Sequence, residues 1–239
     1  MIHAVIPDLP THTQPLVVSY FGLRRAIGVS GLLLPIVLWP VGWWLFKVPI
    51  QDNMSSYYYT PLRDVFVGTM FAIGVFLFCY RGNDWIENLT ANVGCVAAIG
   101  VALMPLDPNS DPLLQKSWVG YVHTVCGGVF FVTLAFYSLV HFPRSDGTSD
   151  NLNNSLRNFV YRASGIVILM SLAVMGAYLL FLDSTAKQQF NTYHVLFWGE
   201  WIAVWAFSAA WLTKGRALVA DLAVQLLATT TQMASGRKS

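Results

Sequence analysis

The amino-acid sequence predicts an all-α fold: a polytopic transmembrane bundle of six spans, N-in and C-in, followed by a C-terminal interfacial amphipathic helix. Three observations predict it. Of 239 residues 55% are hydrophobic and only 11% charged, against roughly 25% charged in an ordinary soluble domain. Six apolar runs are each long enough to cross a bilayer, which takes about 20 residues. Lys and Arg gather on alternate connections, as the positive-inside rule requires. Six spans use about half of the chain and leave no room for a separate water-soluble domain.

Residues 1–25 are polar and broken by Pro7, Pro10 and Pro15, and they read as a cytoplasmic segment. Arg24 and Arg25 then precede a first run at 26–46, the pattern of a signal anchor; Trp39 to Phe46 offers no small-residue cleavage site. Further runs fall at 61–80, 85–104, 118–142, 159–182 and 190–213, so the transmembrane domain is 26–213. The third is the least apolar, with Glu87, Asn88 and Asn92 in its first two turns. The Ser/Asp/Asn/Gly-rich stretch from Pro143 to Asn158 reads as the one linker, dividing the spans three and three. An odd number per half permits an inverted repeat, although no residue pattern is shared between the halves.

Orientation follows from the basic residues. With the N-terminus inside, Arg24, Arg25, Arg81, Arg144, Arg157, Arg162, Lys214, Arg216, Arg237 and Lys238 are cytoplasmic, and Lys47, Arg63, Lys116 and Lys187 lie outside. Residues 214–239 form a cytoplasmic helix and tail, in which Asp221, Gln225, Thr229 and Gln232 make one narrow polar stripe on an otherwise apolar helix too short to span. Its apolar face is read as interfacial, with a homo-oligomer contact as the competing reading.

The small net charge of +2, spread along the chain, gives no nucleic-acid footprint. Cys79, Cys95 and Cys126 lie in apolar runs with no CxxC or Cys/His cluster, so they read as packing residues. Gly68, Gly94, Gly100, Gly127, Gly128 and Gly176 read as close helix-packing positions. Gly-rich phosphate loops and the nucleophile elbow of α/β-hydrolases are absent.

Ionisable residues inside a membrane are costly and direct attention to function, with mutual pairing as the bland alternative. The second span opens with Ser55-Ser56-Tyr57-Tyr58-Tyr59-Thr60-Pro61-Leu62-Arg63-Asp64. Thr60 suits an N-cap, Pro61 a first helical position and Asp64 the first turn. Capping leaves Arg63 and the tyrosine run unexplained, and Tyr57, Tyr58, Tyr59 and Arg63, with Tyr193, are expected to line an outer rim that binds a lipid headgroup or small ligand. His123 and His194 fall about 9 Å and 6 Å below the outer ends of their spans. If they converge with Asp64, two imidazoles and a carboxylate leave an open position of the kind a catalytic zinc uses. Glu200, about 15 Å into the last span, must face the bundle. It is expected as a proton carrier or supporting acid, with Tyr58 as a second catalytic candidate and a hydrogen bond to Thr69 as the structural alternative. On the inner side Arg81, Asp84 and Glu87 read as an ion-paired turn.

The stretch from Ser56 to Gly68, with Tyr80-Arg81-Gly82 and His123 followed by Phe130-Phe131, resembles a group of uncharacterised bacterial six-helix membrane proteins. That resemblance implies a bacterial inner membrane and no particular chemistry. More distantly, a Ser near the second span, a nearby Asp and a last-span His are similar to the CREST superfamily of membrane hydrolases and receptors. There the zinc is held by a Ser-x-x-x-His stretch, an Asp and a His-x-x-x-His pair. This chain departs from both motifs, with Thr60 four residues after Ser56 and Trp198 four after His194. His123 ahead of a Phe-rich run also resembles the DRAM-type family, which implies lipid or sterol handling. The readings that result are an outward pocket for a membrane lipid or small ligand, a zinc-dependent hydrolase of lipid amides or esters, and a proton-coupled carrier.

Overall fold

The computed structural model describes residues 14–108, 111–145 and 152–216; every regular element among them is helical. The expected N-terminal segment falls largely, and the expected C-terminal amphipathic helix almost wholly, outside the described residues. Among the described residues five helices are long and apolar enough to cross a bilayer: Tyr20–Phe46, Trp85–Leu103, Trp118–Arg144, Asn154–Phe181 and Val195–Lys214. By length and composition the chain is a multi-pass membrane protein.

The first rod is α1 (Gln14–Ile36), a π-helical turn (Val37–Val41) and α2 (Gly42–Phe46). The π turn contains Pro40, which has no N–H to give to the preceding turn, so the backbone widens there. The rod ends at Lys47, whose left-handed conformation lets its N–H reach back to Trp43. The following connection turns back into the bundle. Val48, Asn53, Met54, Ser55, Tyr57 and Leu62 are all buried, and a 3-10 helix (Met54–Tyr59) is capped by Asn53, which accepts from the Ser56 N–H at 2.8 Å.

Helix α3 (Arg63–Cys79) starts two residues later than the Thr60-Pro61 pattern suggested. Thr60 instead bridges the turn, donating to the Tyr57 carbonyl at 2.8 Å and accepting from the Leu62 N–H at 3.2 Å. Helix α4 (Trp85–Leu103) is capped by Asp84, and α5 (Trp118–Phe136) by Ser117. The second rod then passes a π-helical turn (Tyr137–His141) into α6 (Phe142–Ser145). Helix α7 (Leu152–Phe181) begins inside the expected linker. Leu152 to Asn158 is helical because Arg157 anchors that turn, donating to the Thr213 carbonyl at 3.0 Å. The expected span 190–213 is also divided: α8 (Ser184–Asn191) ends before a turn in which His194 has φ 49°, and α9 (Val195–Lys214) starts anew.

Packing fixes an order that sequence cannot give. Helix α1 lies against α3, α3 against α4, α4 against α5, α5 against α7, α7 against α9, and α9 again against α1. Six helices thus close a ring. Connections 47–62, 104–108 with 111–117, and 182–194 meet at one end, here the tyrosine end; 80–84 and α6 meet at the other, here the arginine end.

Candidate functional site

A cavity of about 310 Å³ lies inside the ring toward the tyrosine end. Its wall is apolar, with Met70, Phe130, Leu172, Met175 and Leu196 typical, and Ser55, Thr124, His123 and Glu200 are its polar side chains. This is the low end of the range for small-ligand sites, which are mostly apolar with a few placed polar groups.

Glu200 stands on α9 five residues after Val195, about 7.5 Å from the helix start, so the break at His194 places it in the tyrosine-end half rather than at mid-bundle. Its Oε2 accepts from the Met54 backbone N–H at 2.5 Å; the partner is this inturned loop and not Thr69. The Asp52 carbonyl accepts from the Phe197 N–H at 3.1 Å, so loop and helix are stitched at two points. His123, buried on α5, approaches the Met104 carbonyl with Nδ1 at 2.5 Å and the Ser55 hydroxyl with Nε2 at 2.9 Å. Ser55 itself is buried on the 3-10 helix.

The remaining expected site residues lie elsewhere. Asp64 is exposed on the outside of α3, and His194 is 3.8 Å from Asp52. Asp64, His123 and His194 are therefore not brought together, and no group of three His, Cys, Asp or Glu among the described residues is placed to hold a metal ion. The donor set for the zinc reading does not fit. The tyrosine run divides three ways. Tyr57 is fully buried against Phe197, and burial pushes its hydroxyl up to about 12. Tyr58 carries the Arg63 guanidinium over its ring at 4.4 Å and takes a hydrogen bond from it at 2.8 Å. Tyr59 donates to the Leu106 carbonyl at 2.5 Å, and Tyr193 is exposed. None of the five expected rim residues borders the cavity.

How the cavity is closed matters. On the water side, segments 104–108 and 111–117 lie across it, with Leu106, Pro112 and Leu113 in the wall. The Asp107 carboxylate accepts from the Ser117 hydroxyl at 2.6 Å and from the Ser117 and Lys116 N–H groups, which hold it below the usual carboxylate range. Lys187 on α8 pairs with Asp111 at 2.5 Å and donates to the Leu179 carbonyl at 2.7 Å. Thr124 donates to the Pro112 carbonyl at 2.5 Å.

The side wall is looser. Helices α5 and α7 are tight near Gly165, where an added Cβ would strike Leu139. Toward the cavity, a Cβ at Gly127, Gly128 or Gly176 would meet nothing. These three line the cavity and are not close-packing positions; nor is Gly68, whereas Gly94 meets Thr133 and Gly100 meets Cys126 as expected.

A second buried polar group occupies the arginine end. Glu87 accepts from the Tyr80 hydroxyl at 2.6 Å and the Asn83 N–H at 2.8 Å. Tyr80 also receives Arg24 at 3.3 Å and stacks on Tyr20. Tyr137 donates to the Glu87 carbonyl at 2.9 Å, and His141 contacts Thr90 at 3.1 Å. Of the expected ion-paired turn, Glu87 is instead hydrogen-bonded in the interior, while Asp84 faces Arg144 at 3.8 Å as an exposed ion pair. Arg24 reads in the sequence as a surface anchor, and the signal of its burial is its spacing of four from Tyr20.

No protein-family model matches this chain, and no curated protein and no solved structure matches it.

Proposed function

We propose that this protein binds a membrane-derived amphiphile inside its helical ring, with Ser55, His123 and Glu200 reading the polar end and the apolar wall holding the chain. The observation that carries this reading is the asymmetry of the cavity's lining: latched loops on the water side, and on the α5 and α7 side Gly127, Gly128 and Gly176, where an added Cβ would meet nothing. Val125, Val132, Met170 and Val174, exposed on those two helices, suit contact with acyl chains, so a ligand enters sideways. In this reading α3, at 17 residues, is the sixth span, at the lower limit of bilayer length. The termini face the cytoplasm of a bacterial inner membrane, with the tyrosine end outward, in keeping with the basic-residue asymmetry.

A diazirine-bearing long-chain fatty acid, photoactivated in proteoliposomes, tests the site. Adducts on Met175 and Phe131 that are lost in Gly176→Leu are expected. Adducts confined to lipid-facing residues such as Val132 and Val174 would refute internal binding.

A further inference from the structure

The Ser55–His123 contact supports more than recognition. A backbone carbonyl can only accept, so the short contact of Nδ1 with the Met104 oxygen assigns the ring hydrogen to Nδ1. In the neutral ring Nε2 is then the acceptor, and the Ser55 hydroxyl at 2.9 Å donates to it. A hydroxyl on an imidazole whose far nitrogen is held by a third group is the arrangement that activates a serine nucleophile. Both side chains are buried, and both border the cavity. Glu200 fixes the backbone immediately before Ser55 through the Met54 N–H, and Asn53 fixes it immediately after through the Ser56 N–H.

We infer that Ser55 and His123 form a catalytic dyad for acyl transfer from a long-chain carboxylic ester. The inference rests on the reading of the cavity as an amphiphile site. The Ser55 Oγ attacks the ester carbonyl carbon and its proton passes to His123 Nε2. The carbon–oxygen bond to the alcohol breaks, and that alcohol leaves with the proton from Nε2. The acyl group is now an ester on Ser55. A second acceptor, water or another alcohol, gives its proton to Nε2 as its oxygen attacks the acyl carbon; the Ser55–acyl bond breaks and the proton returns to Oγ. No oxidant, metal or cofactor enters this balance.

Neighbouring Ser56 supplies an internal reference, because its hydroxyl lies on Asn53 at 3.0 Å and not on an imidazole. The full-length protein in lipid nanodiscs is treated with a long-chain alkyl fluorophosphonate, which phosphonylates an activated serine with loss of fluoride, and the adduct is mapped by mass spectrometry. A single adduct on Ser55 and none on Ser56 is expected, with protection by excess long-chain monoacylglycerol. His123→Gln is expected to slow labelling about 100-fold, the low end of what a general base supplies, and Ser55→Ala to remove it while Ser56→Ala does not. Mapping on the wild-type protein decides the matter even if a variant does not fold. An unlabelled Ser55, or equal labelling of Ser55 and Ser56, overturns the dyad, as does an unchanged rate in folded His123→Gln. If the diazirine fatty acid still marks Met175 in that case, amphiphile binding stands and only the catalysis falls. If neither reagent enters the cavity, the binding reading falls with it.

Discussion

The two ends of the ring both bury polar side chains, and they do so differently. At the arginine end Glu87, Tyr80, Tyr137 and Arg24 are linked by hydrogen bonds within a packed aromatic cluster, where Trp211 lies 5.2 Å from Tyr80 and 5.1 Å from Phe142. At the tyrosine end Ser55 and His123 are buried and Glu200 is half-buried, and all three border about 310 Å³ of space. The arginine end keeps a smaller, polar space of about 120 Å³, bordered by Asn83, Asp84, Glu87, His141 and Arg144, and there Glu87 is already engaged by the Tyr80 hydroxyl and the Asn83 N–H. An acid and an imidazole facing a cavity on an apolar wall have capacity left for a ligand.

That contrast can be broken at several points. The largest stability loss is expected from Glu87→Ala, which leaves the Tyr80 hydroxyl and Asn83 N–H unanswered and strips the acid from the Arg24 network. Each buried donor left without its acceptor costs about 1–3 kcal/mol, measurable by thermal unfolding in micelles. Glu200→Gln keeps an oxygen acceptor for the Met54 N–H, so a loss under about 1.5 kcal/mol is expected, while photoadducts at Met175 fall about tenfold. Equal stability losses in the two variants would erase the distinction between the ends.

The glycines sharpen it. Gly94→Leu would drive side-chain atoms into Thr133 and Leu77, against which even a Cβ is tight, and overpacking costs about 1–3 kcal/mol. Gly176→Leu enters open space and is expected to leave the melting temperature nearly unchanged while emptying the cavity of probe.

The smallest effect concerns the loop over the cavity. The hydrogen bonds that hold the Asp107 carboxyl below its ordinary range favour the folded loop when that group is ionised. Their contribution is present above the unfolded value, near 3.9, and is lost as pH falls through the lower folded value. Amide exchange of Lys116 and Ser117 should therefore accelerate in acid below about pH 4, and Asp107→Asn should remove most of that pH dependence. An unaltered acid profile in the variant would show that Asp107 does not hold the loop.

Composition and run length made the helical membrane class legible, and the cost of burying charge singled out Glu200 and His123. What escaped was azimuth and return. Hydropathy places a residue along a helix but not around a ring, so Asp64 and His194 were grouped with His123 at similar depth although they face elsewhere. Ser55 escaped because its place depends on the 47–62 connection turning inward, held by Glu200 146 residues away. Arg24 fitted the positive-inside rule so well that its burial between Tyr20 and Tyr80 left no trace in the charge pattern. The break at Thr192–His194 escaped because Phe190 and Tyr193, which flank Asn191 and Thr192, read as the start of the apolar run that follows.

The most direct test of the central claim is mass spectrometry of the organic extract from protein purified in mild detergent, wild type beside Gly176→Leu. A single class of long-chain amphiphile, retained near one per chain by the wild type and absent from the variant, is the expected result. An extract with only bulk membrane lipid, identical in both proteins, would contradict a ligand site within the ring.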